Sequence, residues 1–125
     1  MRLLLDSHVF VWWALTPERL ESTALTAIEN AANEVYFSVA SAWELAIKAA
    51  MKRVELPTGI EGALDERGVE KLGISFSHAA HAGNLPRHHR DPFDRMLIAQ
   101  AQSEGLTLVT RDQAFSAYEV PILKA

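Results

Sequence analysis

The sequence predicts an α/β fold in which helices cover both faces of a parallel sheet. Short β-prone runs alternate with segments of helical pattern along the whole chain, and this alternation is typical of parallel βαβ units. The chain has 125 residues, of which 49% are hydrophobic, so it is long enough to bury a core. It contains no internal repeat, low-complexity tract or linker. We therefore expect one domain over residues 1–125.

The first half of the chain is predicted to contain two strands and three helices. A short apolar run ends at Asp6, as a buried strand does, and Pro17 ends the helix that follows. Ser38 lies between the second strand and an apolar, Ala-rich segment, where it is expected to be a helix N-cap. In chain order the elements are a strand over residues 2–5, helices over 8–15 and 22–32, a strand over 34–37 and a helix to about 52.

The second half of the chain is predicted to contain three strands and three helices. Asp91-Pro92 is a strong helix start, with Asp as N-cap and Pro at the first helical position, and Gly105 ends that helix. The elements are a turn at Leu56-Pro57, a helix over residues 59–67, a strand over 69–72, a helix over 75–82, the helix from Asp91 to about 104, and strands over 106–109 and 120–123.

The composition excludes several classes of protein. Without cysteine the chain has no disulfides, no thiolate nucleophile and no Cys-based zinc site. It has neither a signal-peptide pattern nor an apolar run of the roughly 18 residues that span a membrane, so we expect a cytoplasmic protein without membrane contact. The net charge of −4 is unlike that of most nucleic-acid binders. An RNA or DNA substrate would require local basic groups.

Acidic residues occupy positions that a parallel sheet brings to one edge. Asp6 follows the first predicted strand and Asp112 follows the strand over residues 106–109. Asp94 lies at the start of the helix that leads into that strand, and such a helix runs antiparallel to its sheet. The three carboxylates are therefore expected at the carboxyl edge of the strands, where sites of α/β proteins form.

Each acid also has a purely structural interpretation. Asp6 is suited to cap the next helix, and Asp112 to begin a turn. Glu44 lies four residues before Lys48, the spacing of an exposed helical ion pair. It also adjoins the apolar face of its helix, so both interpretations of Glu44 stay open.

Of the four acids, Asp94 has the sequence position that most specifically indicates a functional role. Because Asp91 already serves as N-cap, Asp94 is not needed for capping. At helical spacing Asp94 shares a face with Leu97, Ile98 and Ala101, which are expected to pack on the sheet. An acid at the head of an apolar face points over the sheet edge and needs a partner. Carboxylates that converge repel one another, and a divalent cation relieves this repulsion, so the sequence predicts a metal-dependent enzyme.

Four segments resemble one family of nucleases. They are LLLDSHVFVWW, SVASAWELAIK, LPRHHRDPFDRMLIAQA and LTLVTRD, and together they extend over nearly the whole chain. They resemble the PIN-domain family, and within it the VapC-type toxins of type II toxin–antitoxin systems. The resemblance implies a three-layer α/β/α fold, a parallel sheet of order 3-2-1-4-5, and a Mg²⁺- or Mn²⁺-dependent endoribonuclease. Such a toxin cleaves single-stranded or loop RNA, and a cognate VapB-type antitoxin neutralises it. Family members are usually homodimers.

The resemblance assigns the acids as one catalytic set. Asp6, Glu44, Asp94 and Asp112 match the family's acidic positions, and the position of Asp112 varies most within the family. We expect Asp6 and Asp94 to be the direct metal ligands. The auxiliary residues are Asp91, Ser7, Ser41 and Thr110.

Basic residues next to the predicted acid helix are the candidates for substrate binding. Alternatively, these residues form a solvated loop whose arginines pair with Asp91 and Asp94. The histidines could instead be metal ligands. The candidates are Arg87, His88, His89, Arg90 and Arg95.

Two other functions remain as alternatives. A non-catalytic PIN-like RNA-binding module would share the fold without the chemistry. A receiver-type phosphoacceptor domain is also α/β with an acidic Mg²⁺ pocket, but it requires an adjacent acid pair after the first strand. Asp6 stands alone there, which argues against a receiver.

Overall fold

A computed structural model describes residues 1–52 and 59–125 of the chain. Within these residues a five-stranded sheet has the order β3-β2-β1-β4-β5, and each neighbouring pair is parallel. This confirms the predicted α/β class and the strand order that the family resemblance implies. The strands are β1 (Arg2–Leu5), β2 (Glu34–Ser38), β3 (Glu70–Leu72), β4 (Thr107–Thr110) and β5 (Ile122–Lys124).

Helices connect the strands and cover the sheet. Every helix that the sequence predicts over the described residues is present. Two short 3₁₀ helices, Pro17–Arg19 and Gln113–Ala117, complete the connections. The α-helices are α1 (Ser7–Leu15), α2 (Ser22–Glu29), α3 (Val39–Ala50), α4 (Gly59–Glu66), α5 (Phe76–Asn84) and α6 (Pro92–Glu104).

The central strand β1 contributes to a core on each side of the sheet. Side chains alternate along a strand, so Leu3 and Leu5 pack on one face and Leu4 on the other, all fully buried. Phe10 of α1 packs with the first cluster, and Leu97 of α6 packs with the second. The two cores give the three-layer architecture and place α1 and α6 on opposite faces of one sheet.

The predicted helix over residues 22–32 was too long, and so was the helix to residue 52. The helix α2 ends at Glu29 because the side chain of Asn30 accepts a hydrogen bond from the Ala32 backbone at 2.9 Å, which forms a turn. The helix α3 ends at Ala50, and Lys52 has a φ of 58°, which does not continue a right-handed helix.

Other boundaries moved by one or two residues. The helix α5 begins after Ser75, whose Oγ accepts a hydrogen bond from the His78 backbone at 3.0 Å, so Ser75 is the cap and not the first turn. The helix α6 begins and ends as predicted, with Asp91 as N-cap and Gly105 at a φ of 67°. The predicted turn at Leu56-Pro57 lies outside the described residues. In the part of the chain that is described, no helix is long and apolar enough to span a bilayer.

Candidate active site

A cavity of about 610 Å³ opens at the carboxyl edge of the sheet. It is formed where β1 and β4 end side by side, at the start of α6 and beside α3. Five carboxylates line it, together with basic and aromatic side chains. The acids are Asp6, Glu44, Asp91, Asp94 and Asp112.

Asp6 is buried at the end of β1. Its side chain accepts a hydrogen bond from Thr110 Oγ1 at 2.8 Å, and its backbone N–H donates to Val109 at 3.0 Å. Asp6 occupies the N-cap position of α1 but makes no capping hydrogen bond through its side chain, so capping does not account for it. Burial raises the pKa of the Asp6 carboxyl, and the hydrogen bond from Thr110 opposes that shift.

Asp94 lies in the first turn of α6 with an exposed side-chain fraction of 15%. Burial, followed by repulsion from Asp91 and Asp6, raises the pKa of its carboxyl to about 7. In residues 1–52 and 59–125, neither a hydroxyl nor a backbone N–H donates to this carboxylate. Asp94 is thus a partly buried acid that accepts no hydrogen bond from the described residues, and a cation would stabilise its charged form.

Asp91 caps α6, as predicted. Its Oδ1 accepts hydrogen bonds from the backbone N–H groups of Phe93 at 2.8 Å and Asp94 at 3.2 Å. Capping holds one carboxylate at the cavity wall and leaves the Asp94 side chain free to face the cavity. The helix N-terminus therefore presents two acids with separate structural roles.

Glu44 makes the helical pair that the sequence predicts and also lines the cavity. Its Oε2 lies 3.5 Å from Lys48 Nζ, the predicted helical pair. Its Oε1 accepts a hydrogen bond from Ser7 Oγ at 2.5 Å, and both Glu44 and Lys48 line the cavity. The fully buried Ser7 thereby joins the start of α1 to α3 across the site.

Asp112 begins a turn and also lines the cavity. Its Oδ1 accepts a hydrogen bond from the Ala114 backbone at 2.9 Å, which caps the second 3₁₀ helix. Its own backbone N–H donates to Thr110 Oγ1 at 3.1 Å. The Thr110 hydroxyl therefore connects Asp6 to Asp112.

The site has a donor set that fits a divalent cation. Potential ligand atoms of His89, Asp94 and Asp112 all lie within 4.8 Å of one another. Among the residues that the structure describes, none donates an aligned hydrogen bond to Asp94, and burial together with repulsion from the neighbouring acids raises the pKa of its carboxyl. A hard cation such as Mg²⁺ or Mn²⁺ uses carboxylate oxygens, so these residues suit one.

Comparison with known proteins identifies the family of the chain. Residues 3–121 match the family model described as PIN domain. The chain belongs to the PIN-domain family. It is 38% identical over 122 residues to Ribonuclease VapC22 of Mycobacterium tuberculosis, which covers 95% of this chain and 93% of that protein. The resemblance predicted from the four sequence segments is confirmed.

Solved structures share the fold at low sequence identity. VapBC2 of Rickettsia felis, bound to a DNA fragment from its promoter, matches with a TM-score of 0.74 and 16% identity over 99% of this chain and 98% of that one. VapBC-5 of Mycobacterium tuberculosis, a member of the VapBC family of toxin–antitoxin systems, matches with a TM-score of 0.61 and 20% identity over 99% and 98% of the two chains. At these identities the likeness establishes the fold.

Among the predicted substrate-binding residues, His89 lines the PIN-domain cavity. Its Nε2 lies 2.8 Å from Asp94 Oδ2. The His88 ring packs against Tyr118 with centroids 5.3 Å apart and borders a different cavity. Arg87 and Arg90 are exposed and do not line the acidic cavity.

Arg95 has its guanidinium group directed at the backbone. Within the described ranges, Nη1 donates to the carbonyls of Pro86 and His89, and Nη2 donates to those of Ala82 and Leu85, at 2.8–3.3 Å. This geometry holds the loop before α6 in place. Ser41, predicted as auxiliary, is fully buried and is not among the residues that line the cavity.

Basic and aromatic residues of the cavity were missed from the sequence. Trp12 lies beneath two guanidinium groups, with Arg111 Cζ at 4.5 Å and Arg19 Cζ at 4.8 Å from its ring centroid. Arg111 lines the cavity with His8 and Lys48. Their proximity to the predicted acids in the sequence could have indicated them, since His8 follows Asp6 by two positions and Arg111 directly precedes Asp112.

Proposed function

We propose that this PIN-domain protein is a metal-dependent endoribonuclease toxin that hydrolyses phosphodiester bonds in single-stranded or loop RNA. The observation that carries the proposal is the convergence of five carboxylates on one cavity, with Asp94 partly buried and without a hydrogen-bond donor in the described residues. The relative named Ribonuclease VapC22 supports the same activity.

Asp6 and Asp94 would hold a Mg²⁺ or Mn²⁺ ion, with Asp112 and Glu44 binding it directly or through water. When bound, the ion supplies a water of lowered pKa and stabilises the charge that develops on the phosphate and on the leaving oxygen. The chain's own residues fix the ligands. Thr110 orients Asp6, and Ser7 orients Glu44.

The cavity also provides positive charge for the substrate. Lys48 and Arg111 line it beside the acids, and the exposed Arg87, His88 and Arg90 lie on the loop before α6. Arg–phosphate and Lys–phosphate contacts position a nucleic acid without reading its sequence. We propose that these local groups compensate for the net charge of −4.

We propose that the protein is a homodimer and binds a VapB-type antitoxin. Residues four apart on α3 form an apolar stripe in which Val39, Trp43 and Ile47 are 47%, 63% and 41% exposed. The ring of Trp43 contacts Phe93 of α6 edge to face, with centroids 5.2 Å apart. An exposed apolar stripe of this kind suits a protein partner, and the VapBC structures are toxin–antitoxin complexes.

Cleavage of single-stranded RNA by the purified protein tests the proposal. We expect activity with Mg²⁺ or Mn²⁺, none with a chelator, and a loss of at least about a hundredfold in Asp94→Asn. Asp65→Asn is the matched control, because Asp65 is an exposed acid of α4 outside the cavity. RNA binding without cleavage by antitoxin-free protein would favour the non-catalytic RNA-binding module instead.

A further inference from the structure

His89 presents a buried ring nitrogen to the acids of the cavity. Its Nε2 lies 2.8 Å from Asp94 Oδ2, yet within the described part of the chain this nitrogen has no aligned hydrogen-bond partner. Two polar atoms that are this close without hydrogen-bond alignment are in the arrangement of adjacent ligands to one ion. A direct hydrogen bond alone does not explain the contact.

The surrounding loop fixes the position of the His89 ring. The backbone N–H of His89 donates to the Tyr118 hydroxyl at 2.9 Å, and its carbonyl accepts from Arg95 Nη1 at 3.3 Å. The ring pairs with that of Phe115 in a T-shaped arrangement, with centroids 6.1 Å apart. A ring that is already positioned loses little conformational entropy when it binds an ion.

The distances suit a single ion. Potential ligand atoms of His89, Asp94 and Asp112 lie within 4.8 Å of one another. In an octahedral sphere with bonds of about 2.1 Å, neighbouring ligands are about 3 Å apart and opposite ones about 4.2 Å apart. One ion can therefore reach all three side chains after small adjustments.

We propose that His89 is a nitrogen ligand of the divalent ion, so that the site combines an imidazole with carboxylates. This inference rests on the proposed function and refines its metal site. Imidazole suits transition-metal ions, whereas carboxylates and water suit Mg²⁺. His89 thus biases the site toward Mn²⁺ and related transition ions over Mg²⁺.

The competing role for His89 is a hydrogen-bond donor whose Nε2–H pairs with Asp94 and gives way when metal binds. The Asp91 backbone N–H donates to His89 Nδ1 at 3.5 Å, which places the ring proton on Nε2 and fits that role. Ligation through Nε2 would move the proton to Nδ1 and break this contact. The roles predict opposite effects of removing the ring. Loss of a ligand weakens metal binding, whereas loss of a competing donor to Asp94 strengthens it.

Metal titration with Mn²⁺ and pulsed electron paramagnetic resonance distinguishes the two roles. In the wild-type protein we expect bound Mn²⁺ to show hyperfine coupling to an imidazole nitrogen. His89→Gln should lose that coupling and bind Mn²⁺ at least about tenfold more weakly, with a smaller loss for Mg²⁺. His8→Gln is the matched control, because His8 lines the same cavity and is not in the ligand group.

The His8→Gln control keeps the test informative if the His89 variant misfolds. Coupling that persists in His8→Gln assigns the nitrogen to His89, even if His89→Gln does not fold. Bound Mn²⁺ without nitrogen coupling in the wild type would overturn the inference and leave the ribonuclease proposal standing. If RNA cleavage is absent while the coupling is present, the proposed function fails and the ligand assignment holds. If no Mn²⁺ binds, the ligand assignment and the metal-dependent mechanism both fail.

Discussion

Thr110 Oγ1 donates a hydrogen bond of 2.8 Å to Asp6 Oδ2, although the two residues are 104 positions apart in the chain. The same oxygen accepts a hydrogen bond from the Asp112 backbone at 3.1 Å. One hydroxyl between two neighbouring strand ends thus sets the position of two acids. It also offsets part of the burial penalty on Asp6.

Replacement of Thr110 by Val should therefore damage the site without changing its shape. We expect the free energy of unfolding to fall by about 1–3 kcal/mol, because a buried carboxylate loses its donor. Metal affinity should fall as well, because the pKa of Asp6 rises further. Isothermal titration with Mn²⁺ and urea unfolding measure the two effects. Thr107→Val, in the same strand and outside the cavity, should alter neither, and equal losses in both variants would contradict this role of Thr110.

The stability of the metal-free protein should fall as pH rises from about 4 to about 7. The pKa of Asp94 is raised to about 7 in the folded protein, whereas an unfolded Asp titrates near 4. Between these values the folded state holds more protons, so the free energy of unfolding decreases with pH. After allowance for partial solvation we expect a loss of about 2 kcal/mol.

Chemical unfolding in a chelating buffer at several pH values measures this dependence. Asp94→Asn should flatten the profile because the amide does not titrate. Added Mn²⁺ should restore stability at pH 7, since it binds the charged carboxylate. A profile in the Asn variant as steep as that of the wild type would assign the effect to another group.

Ser7→Ala should separate catalysis from metal binding. Ser7 Oγ donates to Glu44 Oε1 at 2.5 Å, and Glu44 is the member of the acidic set that lies on α3. Without this donor Glu44 loses its fixed orientation, and we expect kcat for RNA cleavage to fall about tenfold or more. Mn²⁺ affinity should change less. Ser22→Ala, on the exposed start of α2, should keep wild-type kcat, and an unaltered kcat in Ser7→Ala would show that Glu44 needs no such support.

Arg95 was predicted to bind substrate, but its hydrogen bonds to the backbone favour a role in stabilising the loop before α6. Arg95→Met removes hydrogen bonds to four backbone carbonyls. We expect the free energy of unfolding to fall by about 2–4 kcal/mol, because four backbone carbonyls, most of them partly buried, lose a charged donor. Arg90→Met, an exposed neighbour, should be neutral for stability. A raised KM for RNA with full stability in Arg95→Met would instead support the substrate contact.

Trp43→Lys should prevent self-association. Trp43 is 63% exposed on the apolar stripe of α3, and a charge there would have to be desolvated in any apolar interface. We expect a dimeric wild type and a monomeric variant by light scattering after size-exclusion chromatography. Phe76→Lys is the control, since Phe76 is 97% exposed on α5. A dimer that survives Trp43→Lys would place the interface elsewhere.

The sequence was sufficient to predict the fold and the capping of α6 by Asp91. Alternation of apolar runs and helical patterns depends on local chemistry, and so does the capping by Asp91 that left Asp94 free. Boundaries failed where a side chain ended a helix early, as Asn30 does at α2. Such a hydrogen bond competes with helix continuation and has no signature in periodicity.

The basic side of the site was harder to predict, because it depends on tertiary contacts. Charge alone grouped Arg95 with Arg87 and Arg90, but the fold directs Arg95 toward the backbone of its own loop. Trp12 and Arg111 meet across 99 positions of chain. Neither residue has a local pattern that indicates such a contact.

The order β2-β1-β4 has a consequence for biosynthesis. Asp6 is synthesised 104 residues before its hydrogen-bond donor Thr110, and the acid Asp112 follows Thr110. A growing chain therefore has no assembled cavity until β4 has been made and has inserted beside β1. A nuclease with this topology stays inactive until that point of its synthesis. A neutralising partner that is already present can then bind the toxin as its active site forms.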